Sequence, residues 1–548
     1  MINIWDKKII LYGKKEIKKD FEYLFGKLKF AQYKDCNDLS FITEDNSGGY
    51  LIIICEKERD VLFEDNLQKQ GLKYNENYMY IKDFFVYYNP IFLERGKRRL
   101  AVWGTGTAAN ELWELLCRKG CVEEIDFYID NHLEKTRFKN KQVLSPLEIK
   151  EKDDIYIIVA TYDYHWEIYE QLEKYGFQQK KDYIHCNTVS IDYETLLERV
   201  CFTEKRYPYS CCRPLGYCDV IDDNLFLCCP DYLPISAGSM KTESFMNCWD
   251  SYLAQILRLS VCNGTFAFCD KQYCDLHKFD ENTVCLAEYE YGYEEEKLEY
   301  PNTLMVGIDY TCNLKCPSCR NEIWAADEMR REEMKRWAED LLENVIPNVQ
   351  RLWMAGSGEV FCSPIYKSML TDERCQKRTS ISILSNGTLF DETKWALLDG
   401  IYSDIEIVIS MDGVKNETIK KLRRGANAER LKKNLGFLGK QRKEGKIRRL
   451  FLNCVLQADN VEEIYDLLEY SRKIGVDKVQ FIKLNNHGTY GKDGFDKKSL
   501  FNEDDSLKES YKHYFTESVL MHPLADWFNH SEAFNIAKKP RLDQYDTM

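Results

Sequence analysis

No apolar run in this chain of 548 residues reaches the roughly 20 residues that a membrane-spanning helix needs. The longest candidates, residues 51–55 and 155–160, have the length of buried strands. Basic charge is also short. Lys and Arg number 76 against 90 Asp and Glu, a formal net charge of −14, which argues against nucleic acid or an anionic membrane as the main partner. The opening segment MINIWDKKII lacks the apolar stretch and small-residue cleavage site of a signal peptide. A reducing cytoplasm is the expected location, and the length predicts three or four domains.

Cysteine is abundant, with 22 residues. In a reducing compartment cysteines bind metal or do chemistry more often than they pair as disulfides. Nine fall between Cys211 and Cys274, and three more form the short sequence TCNLKCPSCR at Cys312, Cys316 and Cys319. Isolated ones such as Cys55, Cys117 and Cys454 read as small buried hydrophobes.

The first 190 residues repeat one pattern. KKIILYG (residues 7–13) and RRLAVWG (98–104) each lead from a strand into a helical pattern. The stretches beginning GYLIIIC and DIYIIVA then match in type and order: buried strand, amphipathic helix, glycine, closing strand. Such alternation predicts parallel sheets with right-handed crossovers, hence two small Rossmann-like lobes. In the second lobe Gly104 and Gly106 make a G-x-G-x-x-A turn after a strand, and Asp130 ends the next strand where a ribose-binding acid sits. These three residues are candidates for a nucleotide or nucleotide-sugar site, the plain alternative being a tight strand–helix turn. The first lobe has Lys14 and Lys15 in place of the needed glycines and reads as structural. The acidic, tyrosine-rich run at 288–301 reads as a solvated linker.

From residue 302 to about 483, strand-like segments (LMVGID, RLWMAG, SISILS, DIEIVIS, RLFLNCVL, DKVQFIK) alternate with helical patterns, for example Asp327 to Asn344 and Val461 to Ile474. Six β/α units predict an incomplete relative of the eight-fold barrel, with functional residues in loops at the strands' C-terminal ends. Cys312, Cys316 and Cys319 follow the first of these strands in C-x3-C-x2-C spacing. Three thiolates on one loop can hold three irons of a [4Fe–4S] cube and leave the fourth open for chemistry. A zinc knuckle wants a fourth ligand, and none stands close by. Gly356-Ser357-Gly358-Glu359 follows the second strand, Ser385-Asn386-Gly387 ends the third, and Ser410-Met411-Asp412-Gly413 ends the fourth, leading into ETIKKLRRGA at 417–426.

This constellation resembles the radical S-adenosylmethionine (radical SAM) superfamily. The resemblance implies that Cys312, Cys316 and Cys319 hold the catalytic [4Fe–4S] cluster, with Tyr310 as the aromatic neighbour of the first cysteine. It assigns SAM contacts to Gly356, Ser357, Gly358 and Glu359, which match the family's GGEP motif except at Ser357 and Val360. Ser385, Asn386, Ser410 and Arg423 are further SAM contacts on the same basis. The implied chemistry is reductive cleavage of SAM to a 5′-deoxyadenosyl radical that takes a hydrogen atom from a substrate. An electron donor such as flavodoxin or ferredoxin and anaerobic conditions are implied with it.

The Cys211–Cys274 region resembles the SPASM module of many radical SAM maturases. Its parts map onto Cys211 to Pro214, Cys228-Cys229, Trp249, Arg258, Gly264, Cys269 and Cys274, here ahead of the barrel instead of after it. The implied ligands of an auxiliary [4Fe–4S] cluster are Cys211, Cys228, Cys269 and Cys274, with Cys212 and Cys229 as alternatives. A structural zinc site would use the same thiolates.

The expected architecture is therefore α/β: residues 1–95 a degenerate Rossmann-like lobe, 96–190 a Rossmann-like lobe with the glycine turn, 200–285 the SPASM-like module, 302–490 a partial (β/α)6 TIM-like barrel, and 491–548 an extension. The favoured substrate is a sugar, glycan-linked or cell-envelope intermediate, because of the Gly104 lobe. The alternatives are a ribosomal peptide or protein, as SPASM-bearing enzymes commonly modify, and a non-catalytic iron–sulfur or zinc protein.

Overall fold

The computed structural model describes the chain apart from residues 1–3, 27, 29–46, 88–93, 133–135, 150–153, 208, 272–273, 275–296, 355–357, 377–379, 403, 488 and 528–548. It is of the expected α/β class. The described residues fall into two compact units, one drawn from Met1–Pro214 and Ala237–Cys269, the other from Leu215–Ser236, Asp270–Glu281 and Lys297–Met548. No helix among the described residues is long and apolar enough to cross a membrane.

The first unit contains two parallel sheets. One joins β1 (Lys8–Gly13), β2 (Tyr50–Cys55) and β3 (Tyr78–Tyr80) in that order. The other is built from β4 (Arg99–Trp103), β5 (Ile125–Ile129), β6 (Arg137–Phe138), β7 (Lys141–Leu144), β8 (Ile155–Val159) and β9 (Tyr183–His185), in the order β6-β7-β5-β4-β8-β9. Only the β6–β7 pair is antiparallel in that sheet. Every residue of β8 is buried, as a strand covered on both faces requires.

The order β1-β2-β3 repeats as β4-β8-β9, and local geometry repeats with it. Gly13 (φ 111°) ends β1 and Gly104 (φ 122°) follows β4. A Cβ on either would come within 2.9 Å of the Cys55 carbonyl oxygen or 2.6 Å of the Ala160 carbonyl oxygen. Asn75 and Lys180, both at positive φ, each donate their amide to a tyrosine carbonyl three residues on, at 2.8 and 2.7 Å.

The rest of this unit is helical apart from a short strand, β12 (Gly238–Ser239). Helix Tyr252–Cys262 is buried almost throughout, and its Arg258 is fully enclosed. Arg258 Nε donates to the Pro214 carbonyl at 3.0 Å and Nη1 to the Trp249 carbonyl at 2.8 Å, with the guanidinium 4.2 Å above the Trp249 ring. The Trp and Arg of the SPASM-like pattern thus serve as a buried brace. Arg258→Met should cost about 3 kcal/mol or more, because it strands two buried carbonyls and ends the cation–π contact. Arg258→Lys should recover little, since an ammonium cannot make the fork. Urea denaturation of the three proteins checks both.

In the second unit β10 (Tyr217–Ile221) and β11 (Asn224–Phe226) form an antiparallel hairpin. The sheet continues through β13 (Thr303–Gly307), β14 (Arg351–Met354), β15 (Ser380–Ser385), β16 (Ile405–Ser410), β17 (Arg449–Leu456), β18 (Lys478–Lys483) and β19 (Ala525–Asp526). From β10 through β13 to β19 each strand pairs in parallel with the next. Parallel neighbours need crossovers. Helices such as Glu328–Asn344 between β13 and β14, and Ala428–Lys443 between β16 and β17, supply them. The C-terminal ends of β13 to β18 therefore lie along one edge, and the loops there carry the candidate residues.

Candidate active site

The segment after β13 begins with Asp309, which is 1% exposed. Its carboxylate accepts from Thr311 N at 2.8 Å and from Ser363 Oγ at 2.5 Å, while its own amide donates to the Tyr366 hydroxyl at 3.0 Å. These bonds fix the chain just before the cysteine loop. Within the loop the amides of Cys319 and Arg320 donate to the Cys316 carbonyl at 2.9 and 3.0 Å, so Cys316 and Cys319 share one turn. Cys316 is buried, Cys312 half-buried and Cys319 exposed.

Burial pushes the thiols of Cys312 and Cys316 up, Arg320 opposes this at Cys312 and Arg423 at Cys316, and each thiol also responds to the charge at Cys319. Among the described residues no three His, Cys, Asp or Glu side chains gather closely enough to hold a single metal ion. Two donors already point at sulfur, Leu314 N at 3.4 Å and Asn386 Nδ2 at 3.9 Å from Cys312 Sγ. Tyr310 packs edge-on against Trp324, with 5.9 Å between centroids, and its carbonyl accepts from Arg320 Nη1 at 2.8 Å.

Gly356 and Ser357 lie outside the described residues. Gly358 presses against the segment that leads to Cys312, and a Cβ there would lie 2.2 Å from the Asp309 carbonyl oxygen. The next amide, Glu359 N, donates to the Thr311 carbonyl at 2.8 Å. Glu359 is 1% exposed and gathers the neighbouring strand end. Ser385 Oγ donates to its Oε1 at 2.7 Å, Asn386 N to its Oε2 at 2.6 Å and Phe361 N to Oε1 at 3.3 Å. Burial raises the Glu359 carboxyl, and the donors from Asn386, Ser385 and Phe361, with Arg423, pull it back. A carboxylate has about four acceptor sites. With three filled, Glu359 can take one more donor, such as an ammonium.

Ser410 ends β16 beside Asn453 of β17. Arg423 sits at the C-terminal end of helix Asn416–Leu422, with Nε 2.6 Å from Asp412 Oδ2, an ion pair bent out of hydrogen-bond alignment. Burial opposes the charge on Arg423, but Asp412 and the Cys316 thiol hold it protonated. Asp412 in turn accepts from Val455 N at 2.9 Å. Asp412→Asn would leave a buried guanidinium without its counter-charge, which should cost about 3–5 kcal/mol. A loss under about 1 kcal/mol in chemical denaturation would contradict that role.

The structure thus brings Cys312, Glu359, Ser385 and Asn386 into one hydrogen-bonded group, and Cys316 and Arg423 into contact. Sequence reasoning missed Asp309 and Glu463, and gave Asp412 no role beyond its place in the motif after β16. Glu463 accepts from the amides of Val414 and Lys415 at 2.7 and 2.8 Å and from the Thr418 hydroxyl, which fixes the loop after β16. The motif ETIKKLRRGA gave no sign of the acid 45 residues away that holds its Thr418.

Of the other candidates, Cys211 and Cys269 belong to the first unit and Cys228 and Cys274 to the second. Gly104, Gly106 and Asp130 meet at the ends of β4 and β5. Thr105 Oγ1 donates to Asp130 Oδ2 at 2.7 Å and His132 N to Oδ1 at 2.9 Å. The strand order reverses at β4, the place where such sheets hold ligands. Gly104 nonetheless owes its identity to the Ala160 carbonyl.

Comparison with known proteins adds a relative. The antilisterial bacteriocin subtilosin biosynthesis protein AlbA of Bacillus subtilis (strain 168) is 31% identical over 123 residues, 22% of this chain and 26% of that protein. With the motifs above, this match supports a radical SAM superfamily enzyme. The chain spans about a quarter of the length of that relative. Residues 96–182 match the family described as C2185-like, N-terminal. Among solved structures, Streptococcus suis SuiB bound to precursor peptide SuiA aligns at 17% identity over 45% of this chain and 55% of that one, with a TM-score of 0.32. The anSMEcpe structure with bound AdoMet aligns at 20% identity over 36% and 54%, with a TM-score of 0.29. Likenesses at these scores carry no weight for fold or activity.

Proposed function

We propose that this chain is a radical SAM enzyme that modifies a ribosomal peptide or protein. The observation that carries the first half is the three-thiol loop after β13, joined through Asn386 to the Glu359 group. The second half rests on AlbA, whose name places it in bacteriocin biosynthesis. That match reverses the order of substrates drawn from the sequence, where a sugar or glycan-linked compound stood first.

In this reading Cys312, Cys316 and Cys319 hold a [4Fe–4S] cluster at the mouth of a partial (β/α)6 barrel. When bound, the cluster and SAM supply one-electron cleavage of a sulfonium and a radical able to take hydrogen from carbon. The chain's own residues position and shield. Glu359 offers its remaining acceptor site to the SAM ammonium, and Gly358 lets the backbone pass close to the loop. Ser410, at the end of β16, and Arg423, at the end of helix Asn416–Leu422, serve as further contacts to SAM. Asn386 steadies Cys312. The auxiliary cluster on Cys211, Cys228, Cys269 and Cys274 is proposed from the cysteine pattern alone. The nucleotide site at Gly104, Gly106 and Asp130 is supported by its place at the strand-order reversal.

The substrate is tested by incubating the anaerobically reconstituted, reduced full chain with SAM and short peptides encoded beside its gene. Release of 5′-deoxyadenosine should rise at least tenfold with the correct peptide and stay at background with nucleotide sugars. Stimulation by the sugars alone would overturn the peptide reading.

A further inference from the structure

Away from these sites, the first unit contains a partly open cavity of about 300 Å3, room for roughly ten waters at about 30 Å3 each. Helix Lys15–Phe25, strands β8 and β9, and the helices Phe245–Trp249 and Tyr252–Cys262 contribute its walls. Four tyrosines, Tyr23, Tyr156, Tyr193 and Tyr252, line it. Tyr193 and Tyr252 meet edge to face, their centroids 5.5 Å apart. The hydroxyls of Tyr156 and Tyr252 are buried and have no hydrogen-bond partner among the described residues, a state in which polar atoms can take a ligand or ordered water.

Charge in the lining is acidic on balance, with Glu94 and Glu243 against Lys180. Lys180 Nζ donates to the Asp250 carbonyl. Glu243 stands on the wall just before helix Phe245–Trp249, and Thr188 Oγ1 donates to its Oε1 at 2.7 Å, the one hydrogen bond to this carboxylate among the described residues. Surrounding protein raises the Glu243 carboxyl, with Thr188 and Lys180 opposing. The neutral polar groups are largely spent on one another. Gln179 donates to the Thr242 carbonyl at 3.0 Å and accepts from Asn247 at 2.8 Å, and the Ser251 hydroxyl donates to the Ala237 carbonyl at 2.7 Å. A sugar, which needs many such partners, finds few. An anion would meet carboxylates.

We propose that this cavity binds a primary ammonium group, paired with the Glu243 carboxylate and enclosed by the tyrosine rings. A charge-assisted hydrogen bond and cation–π contact in a shielded space both favour that ligand. The volume suits a group of about ten heavy atoms, such as a free alkylamine or the lysine side chain of a peptide. The inference stands whether or not the chain is a radical SAM enzyme.

Calorimetry of the full chain with cadaverine, N-acetyl-lysine methylamide, 1-pentanol and N-acetylglucosamine tests it. An amine should bind saturably, at least tenfold more tightly than the alcohol or the sugar. Glu243→Gln should weaken that binding tenfold or more, and Tyr252→Phe, which keeps the ring, less than threefold. Binding of both amines points to a peptide lysine, and of cadaverine alone to a free amine; either supports the site. If Glu243→Gln fails to fold, the wild-type contrast between amine and alcohol decides. No amine binding, equal binding by the alcohol or sugar, or an unaffected Glu243→Gln protein would overturn the proposal.

Discussion

Replacing Cys312, Cys316 and Cys319 together with alanine should lower bound iron from roughly eight to roughly four per chain, about four per cube, and bring SAM cleavage to background. The loop makes this effect large and local. In the proposed reading its three thiols are the donors for one cube, while Asp309, Ser363 and Tyr366 hold the preceding chain without help from sulfur. The fold should therefore persist, with a melting temperature within a few degrees of the wild type. Cys55 and Cys454 provide the control. Both are buried in strands, at 0% and 2% exposure, so their replacement by alanine should leave iron and cleavage intact while lowering stability modestly. Unchanged iron in the triple variant would contradict the assignment.

Gly358→Ala should be nearly as damaging for a different reason. The added Cβ would lie 2.2 Å from the Asp309 carbonyl oxygen and 2.9 Å from that of Thr311. Both are backbone atoms, so no side chain can swing aside. Either the Glu359 turn or the segment before Cys312 must move, and both carry the site. A loss of about 3 kcal/mol or more is expected, with poor iron incorporation at temperatures where the protein remains folded. Gly436→Ala supplies the contrast. It lies inside helix Ala428–Lys443 with nothing within 4 Å of the added methyl, so alanine should stabilise by up to about 1 kcal/mol. Thermal melts and iron assays on the two variants separate crowding from a general intolerance of glycine replacement.

Local signals were legible in the sequence and long-range partners were not. The helix at 327–344 was readable because Asp327 caps it, its side chain accepting from Arg330 N at 2.8 Å. The one expected from 461 begins as a tight 3-10 turn at Val461–Glu463 and becomes α-helical only at Ile464, and the Glu463 carboxylate at that junction accepts from Val414 and Lys415, far off in sequence. Arg423 was assigned to SAM from its motif, and its pairing with Asp412 eleven residues earlier went unnoticed, since spacing does not reveal which acid a buried guanidinium meets. The turn at Gly104 was read as part of a nucleotide or nucleotide-sugar site, and sequence did not show that its positive φ also serves a neighbouring carbonyl, a geometry Gly13 shares without a glycine-rich turn. The tyrosine-lined cavity left no trace in local pattern. Its residues come from segments more than 200 positions apart.

The decisive measurement is product analysis of the anaerobically reconstituted, dithionite-reduced full chain after incubation with SAM. The account predicts 5′-deoxyadenosine and methionine in equal amounts, from protein whose iron and sulfide signal cluster occupancy. Tightly bound zinc, with SAM recovered intact, would contradict it.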